Sequence, residues 1–209
     1  MSIARRHTVE SRVAEFAPRC EELWKQRCLR AGIPYPPERL MLIGLKQERR
    51  LEVHAAAAAG AWRRLHLFEV LGASGGPGPK LCEGDRQVPE GVYEVASLNP
   101  NSKYHVSLRI DYPNALDCEQ GRHEGTAALG GDIMVHGGEA SVGCLAIGDL
   151  AVEELFFLVA TVGLGDLRVA LLPHDFRLKP EWPAGVPEAP WNRRRYEAAK
   201  ILLGEVVTE

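Results

Sequence analysis

Long apolar runs are the first thing this sequence lacks. No stretch approaches the length a membrane-crossing helix needs, and no apolar core of an export signal follows the basic residues within 1–12. An excess of one charge is missing too. Its 25 Lys and Arg face 28 Asp and Glu, a net charge of −3, so there is no basic footprint for nucleic acid. The short clusters Arg63-Arg64 and Arg193-Arg194-Arg195 read as solvated surface. There is no C-x-x-C pair and the seven His are scattered, so no zinc site is expected. Five Cys cannot all pair with one another, and Cys20 and Cys28, eight apart on one helical stretch, are too distant to bridge. The Gly- and Pro-rich segment 74–89 lacks the G-K-[ST] ending and the following helix of a phosphate-binding loop. No metal or organic cofactor is expected.

What is present is ordinary globular material: 209 residues, 45% apolar and 25% charged, enough for one domain with terminal additions. Residues 8–31 carry Val9, Val13, Phe16, Leu23 and Trp24 near helical spacing, with Pro18 expected to kink or restart the helix before Gly32 and Pro34 stop it. Acidic residues interrupt its polar face, which disfavours an interfacial membrane helix. After the Tyr35-Pro36-Pro37 connector, segments 39–45, 50–55, 62–71, 91–98 and 103–112 read as strands. In the last, Tyr104, Val106, Leu108 and Ile110 share one face, and His105, Ser107 and Arg109 the other. Loops are expected over 74–89 and, as a possible lid, over 113–131. Asp149 is expected to cap a helix over 150–162. A closing strand over 166–172 precedes a Pro- and Trp-rich tail and a helix over 192–203. The expected organisation is a helical segment 1–34, a domain 35–177 and a tail 178–209.

The chemistry concentrates in 130–149, G-G-D-I-M-V-H-G-G-E-A-S-V-G-C-L-A-I-G-D. His136 ends a short buried strand, Gly137-Gly138 terminates it, and Cys144 follows eight positions on, across a loop short enough to bring imidazole and thiol together. A thiolate is the strong nucleophile, and a neighbouring imidazole can take its proton. Gly143 permits a tight turn, so that N–H groups at Gly143 and Cys144 can aim at a developing oxyanion. The bland alternative is a buried structural Cys and a hydrogen-bonded structural His. His105 is a competing base, although a mid-strand His without a surrounding motif is more often structural.

The word H-G-G-E-A-S-V-G-C-L resembles the active-site signature of the L,D-transpeptidase catalytic domain family (YkuD-like), and more closely its YafK-like branch with the short His-to-Cys spacing. The resemblance extends to Glu83-Gly84-Asp85-Arg86-Gln87-Val88-Pro89-Glu90-Gly91, Leu98-Asn99-Pro100-Asn101-Ser102 and Tyr112-Pro113-Asn114, and covers roughly residues 38–177. Where many members carry a second His two residues before the Cys, this chain has Val142.

The resemblance implies a mainly β domain with helices (α+β), a sandwich-like barrel, carrying a cysteine acyl-transfer site. Cys144 is then the nucleophile, His136 its base and Gly143 part of the oxyanion site. Arg86 and Lys80 are candidates for a substrate carboxylate, with Arg86 equally able to pair with Asp85 or Glu83. Ser141, Gly137 and Tyr104 are further candidate substrate contacts. The implied partner is a peptidoglycan stem peptide containing diaminopimelate, which places the protein in the cell envelope, against the missing export segment. The alternatives are a hydrolase or amidase of diaminopimelate-linked bonds using the same site, a non-catalytic peptidoglycan-binding module, and a cytoplasmic hydrolase of recycled muropeptides.

Overall fold

A computed structural model describes residues 6–126 and 128–206; the outermost residues of the expected segments 1–34 and 178–209, and residue 127 of the expected loop 113–131, lie outside them. The fold is mixed α+β. Four helices, α1 (Val9–Ala31), α2 (Ala115–His123), α3 (Asp149–Val162) and α4 (Pro190–Gly204), surround eight strands: β1 (Arg39–Leu45), β2 (Arg50–Ala56), β3 (Arg63–Glu69), β4 (Gly91–Ser102), β5 (His105–Ile110), β6 (Met134–His136), β7 (Leu145–Ala146) and β8 (Leu167–Leu172).

The strands form one sheet in the order β3-β2-β1-β8-β4-β5-β6-β7. Its two ends meet. Just past β3, Gly72 bridges to Ala146 of β7, with the Leu71 and Gly72 amides donating to the Ala146 carbonyl and the Ala146 amide to that of Gly72. The sheet thus curls toward a barrel, and the closure brings the end of β3 against the segment that carries the Cys.

Core packing occurs on both sides of the central strands. In β1, Leu40 and Leu42 face a cluster containing Trp24, Phe156 and Val159, while Met41, Ile43 and Leu45 face Tyr196, Ala199 and Leu202 of α4. That two-sided burial matches the near-continuous apolar sequence of β1 and its parallel pairing with β8. Each fully buried large apolar side chain contributes roughly 1.5–3 kcal/mol, so the two clusters hold the sheet from either side.

Pro18 does not kink or restart α1, contrary to expectation. The helix runs unbroken, with Pro18 on its exposed side, where the carbonyl freed of an N–H partner can be hydrated. Burial of Phe16, Cys20, Trp24 and Cys28 on the opposite side outweighs the lost bond. Thr8 and Ser11 cap its start reciprocally. Trp24 Nε1 donates to the Glu154 carbonyl at 2.9 Å, and Arg27 pairs with the Glu154 carboxylate, fastening α1 to α3.

The expected loop over 113–131 is another correction, because it contains α2. Asn114 accepts the Leu116 and Asp117 amides, and the Asp117 side chain accepts the Asn114 amide. Asp117 also pairs with the buried guanidinium of Arg195 at 2.7 Å, tying α2 to α4.

Candidate active site

β6 and β7 run parallel, pairing Val135 with Leu145 and His136 with Ala146. Laterally paired residues project to the same side of a sheet, and neighbours along a strand to opposite sides. Val135 and Leu145 enter the core. His136 and Ala146 take the other side, and Cys144, one residue before β7, falls beside Met134. Antiparallel β5 adds Ser107 opposite His136 and Arg109 opposite Met134. Imidazole, thiol, Ser107 and Arg109 therefore share one side of three adjacent strands.

His136 and Cys144 are neighbours on that side, yet no hydrogen bond joins them among the described residues. Cys144 Sγ lies 3.6 Å from the Asp132 carbonyl. His136 Nδ1 lies 2.6 Å from the Gly137 carbonyl. A carbonyl only accepts, so this contact assigns the hydrogen to Nδ1 and leaves Nε2 with the lone pair a base requires. Burial pushes the His136 pKa below its usual value, although the Gly137 carbonyl works against it. Burial also raises the Cys144 thiol, against the stabilising Met134 amide. The resting pair is thus a neutral thiol beside a neutral imidazole, and the proton has to move as the sulfur attacks.

The glycine loop is held from two directions. Gly137 N–H donates to the Tyr104 carbonyl at 3.1 Å, and Gly138 N–H to Asp149 Oδ1 at 2.8 Å. Asp149 does not cap α3 as expected. Gly148 holds that position without a side-chain bond, and the Asp149 carboxylate turns back to fasten the loop. A Cβ at Gly137 would stand 2.4 Å from that carboxylate and 2.8 Å from the Tyr104 carbonyl, so the approach requires glycine.

Tyr104 stacks on His136, centroids 4.6 Å apart at 25°. It does not share the inward side of Val106, Leu108 and Ile110, because His105 adopts φ 75° and breaks the alternation ahead of β5. His105 points elsewhere, its Nε2 2.7 Å from Glu153 Oε1, in a contact that anchors α3.

Around the Cys, Gly143 sits at φ 95° and donates its N–H to Ser74 Oγ at 2.7 Å. Cys144 N–H donates to Ser141 Oγ at 3.0 Å, and that hydroxyl donates to the Cys144 carbonyl. Both amides expected at an oxyanion are therefore covered by hydroxyls, which have to yield before a substrate oxygen can use them.

Lys80 is buried and bonded to Asp85 at 2.6 Å. Arg86 is exposed, and no ion pair to Asp85 or Glu83 forms. Asp85 is instead occupied by Lys80 and by the amides of Leu81, Cys82 and Gln87. Sequence reasoning missed Ser74 and the fastening role of Asp149, which lie 69 and 11 positions from their partners. Four non-glycine residues adopt positive φ: Arg49, Arg86, His105 and Asp132. His105 and Asp132 border the pair directly, and such strain concentrates at functional sites.

The chain is 32% identical over 136 residues to the protein named "Putative L,D-transpeptidase YafK" of Escherichia coli K12, an alignment covering 64% of this chain and 52% of that one. The resemblance to the YafK-like branch of the L,D-transpeptidases holds. The chain spans about half the length of the curated YafK relatives it matches, including that of Escherichia coli O157:H7. No family model matches it. Among solved structures, the helical cell shape determining protein Pgp2 of Campylobacter jejuni superposes with TM-score 0.54 at 22% identity, covering 80% of this chain and 56% of that one. A mutant of Pgp2 gives TM-score 0.55 at 21% identity, over 89% and 63%. The Pgp2 likeness is one of fold, shared at the level of this YafK-like sheet and its helices. Among the described residues no helix is long and apolar enough to cross a membrane, and no group of three His, Cys, Asp or Glu could hold a metal ion.

Proposed function

We propose that this chain is a cysteine acyl-transfer enzyme of the cell envelope, acting on peptidoglycan stem peptides at diaminopimelate. The observation that carries the reading is the His136 tautomer: with Nδ1–H committed to the Gly137 carbonyl, Nε2 is the free base, on the same side of the sheet as the Cys144 thiol. The naming of its YafK relatives as putative L,D-transpeptidases supports the substrate class.

In this mechanism His136 Nε2 takes the thiol proton as Cys144 Sγ attacks the carbonyl on the L-centre side of diaminopimelate. The oxyanion displaces the Ser74 and Ser141 hydroxyls from the Gly143 and Cys144 amides, each donor being worth about 3 kcal/mol of barrier. Collapse of the tetrahedral intermediate breaks the bond to the terminal D-alanine. The imidazolium protonates the departing amine and a thioester remains. An amine from a second stem resolves it by transfer, and water resolves it by hydrolysis. Gly137 keeps the base in place, Ser141 shapes the nucleophile loop, and Tyr104 and Arg86 border the substrate.

Intact-mass measurement after incubation with a diaminopimelate tetrapeptide or a carbapenem tests the reading. An acyl adduct present on the protein and missing from Cys144→Ala supports it, and product analysis then separates transfer from hydrolysis. Neither adduct nor turnover from a peptide shown to bind would leave a binding module in its place.

A further inference from the structure

A cleft of about 270 Å3 opens between the β1–β2 turn and segment 73–77, lined among others by Lys46, Arg49, Ser74, Gly76 and Pro173. It touches the nucleophile loop through one shared residue, since Ser74 lines the cleft and also receives the Gly143 amide. Two cations line it and no carboxylate does.

The two cations are not equivalent. Lys46 is spent: its ammonium donates to the Gly78 and Val88 carbonyls and to Glu90 Oε1 at 2.9 Å. Arg49 is exposed and forms no ion pair among the described residues. Its Nε donates to the Val70 carbonyl at 3.0 Å and one Nη2 hydrogen to that of Leu71, which orients the guanidinium and leaves other donors unbonded. The backbone at Arg49 is left-handed, φ 52°, a conformation costing on the order of 1 kcal/mol or more in a non-glycine residue. The turn is pinned by Lys46 and Gln47 amides donating to the Leu172 and Pro173 carbonyls. The next residues after Val70 and Leu71 pair with Ala146, two positions past the Cys. A preoriented, uncompensated guanidinium is therefore tied to the strand that carries the nucleophile.

We infer that this cleft is an anionic subsite in which Arg49 receives a carboxylate of the peptide whose acyl group reaches Cys144. The inference rests on the acyl-transfer reading for what occupies the neighbouring site, and it goes beyond that reading by assigning the residue and the chemistry. The volume falls below the roughly 300 Å3 at which small-molecule pockets begin, so it suits one charged branch of a substrate. A guanidinium recognises a carboxylate by paired N–H donation. Gly76 leaves the wall open, since a Cβ there would meet nothing within 4 Å. Because Ser74 forms the partition, an anion in the cleft lies on the Gly143 side of the thiol.

The test is calorimetric binding of a diaminopimelate tetrapeptide to Cys144→Ala protein, beside two twins, one amidated at the terminal carboxylate and one at the side-chain carboxylate of diaminopimelate. One of the amides is expected to bind at least about tenfold more weakly than the free acid, and its identity reports which carboxylate Arg49 holds. Adding Arg49→Gln, which keeps donors for the Val70 and Leu71 carbonyls, is expected to erase the difference. Equal binding of all three peptides, no binding of the free acid, or a preference that survives Arg49→Gln would overturn the subsite. The acid–amide comparison with Arg49 intact needs no substitution in the turn. Acylation is read separately by mass, so a protein that discriminates the peptides but is never acylated loses the acyl-transfer reading and keeps the subsite.

Discussion

Tyr104 lies almost flat against His136, ring centroids 4.6 Å apart, while its own carbonyl accepts the amide of the following Gly137. One residue therefore restrains both the imidazole and the loop whose carbonyl fixes the tautomer. Tyr104→Ala is expected to slow Cys144 acylation about tenfold, and Tyr104→Phe to leave it within about twofold, since the stack needs only the ring. Adduct formation followed against time by mass spectrometry checks both.

Asp149 joins the glycine loop to the start of α3. Asp149→Asn keeps an acceptor for the Gly138 amide and is expected to retain most activity, while Asp149→Ala is expected to lose tenfold or more in acylation rate. Gly137→Ala places a methyl against the same carboxylate and is expected to abolish acylation. Circular dichroism melts alongside the rates distinguish a loosened loop from an unfolded chain.

The pH dependence of stability is set partly by His66. Burial, reinforced by the Arg27 and Arg30 charges, lowers its pKa from 6.5 to about 4. The native state thus prefers neutral imidazole, so the contribution to stability is complete above pH 6.5 and is lost as pH falls through about 4. His136, lowered by burial, acts in the same direction. The urea midpoint is expected to fall between pH 6.5 and 4, and His66→Gln to flatten that slope.

Cys144 titrates the opposite way. Because burial raises its thiol pKa, alkylation by iodoacetamide is expected to climb with pH beyond the range of an ordinary thiol, without a plateau near neutrality from a thiolate–imidazolium pair. Peptide mapping of Cys144 over a pH series checks this. A neutral-pH plateau would show that the pair is charged at rest.

Arg195 is almost fully enclosed, donating to Asp117, Gln120 and Asn192. Asp117→Ala removes its counter-charge and is expected to cost about 3–5 kcal/mol. Chemical denaturation measures it directly, and a change below about 1 kcal/mol would contradict the pairing.

Much of the architecture is legible in the sequence because local rules act there without competition. The apolar period of α1, the two-sided apolar character of β1 and the His-Gly-Gly to Gly-Cys spacing each report on neighbours a few residues away. The misreadings share a cause. Pro18 and Asp149 have strong local preferences that tertiary contacts override, through the packing of α1 on α3 in one case and the Gly138 amide in the other. In 113–131 the Asn114/Asp117 capping pair was visible in the residues, but the three glycines around it pointed to loop.

The sequence by itself determined which residues are able to do the chemistry, since a thiol, an imidazole and a permissive glycine loop are properties of residue type and order. Only the tertiary structure decided what each of them faces. Sheet register placed Ser107 and Arg109 beside the His136/Cys144 pair, the β3–β7 closure brought Ser74 onto the Gly143 amide, and a left-handed His105 turned Tyr104 onto the imidazole. These contacts join residues brought together by strand pairing and backbone geometry, which residue spacing along the chain does not encode.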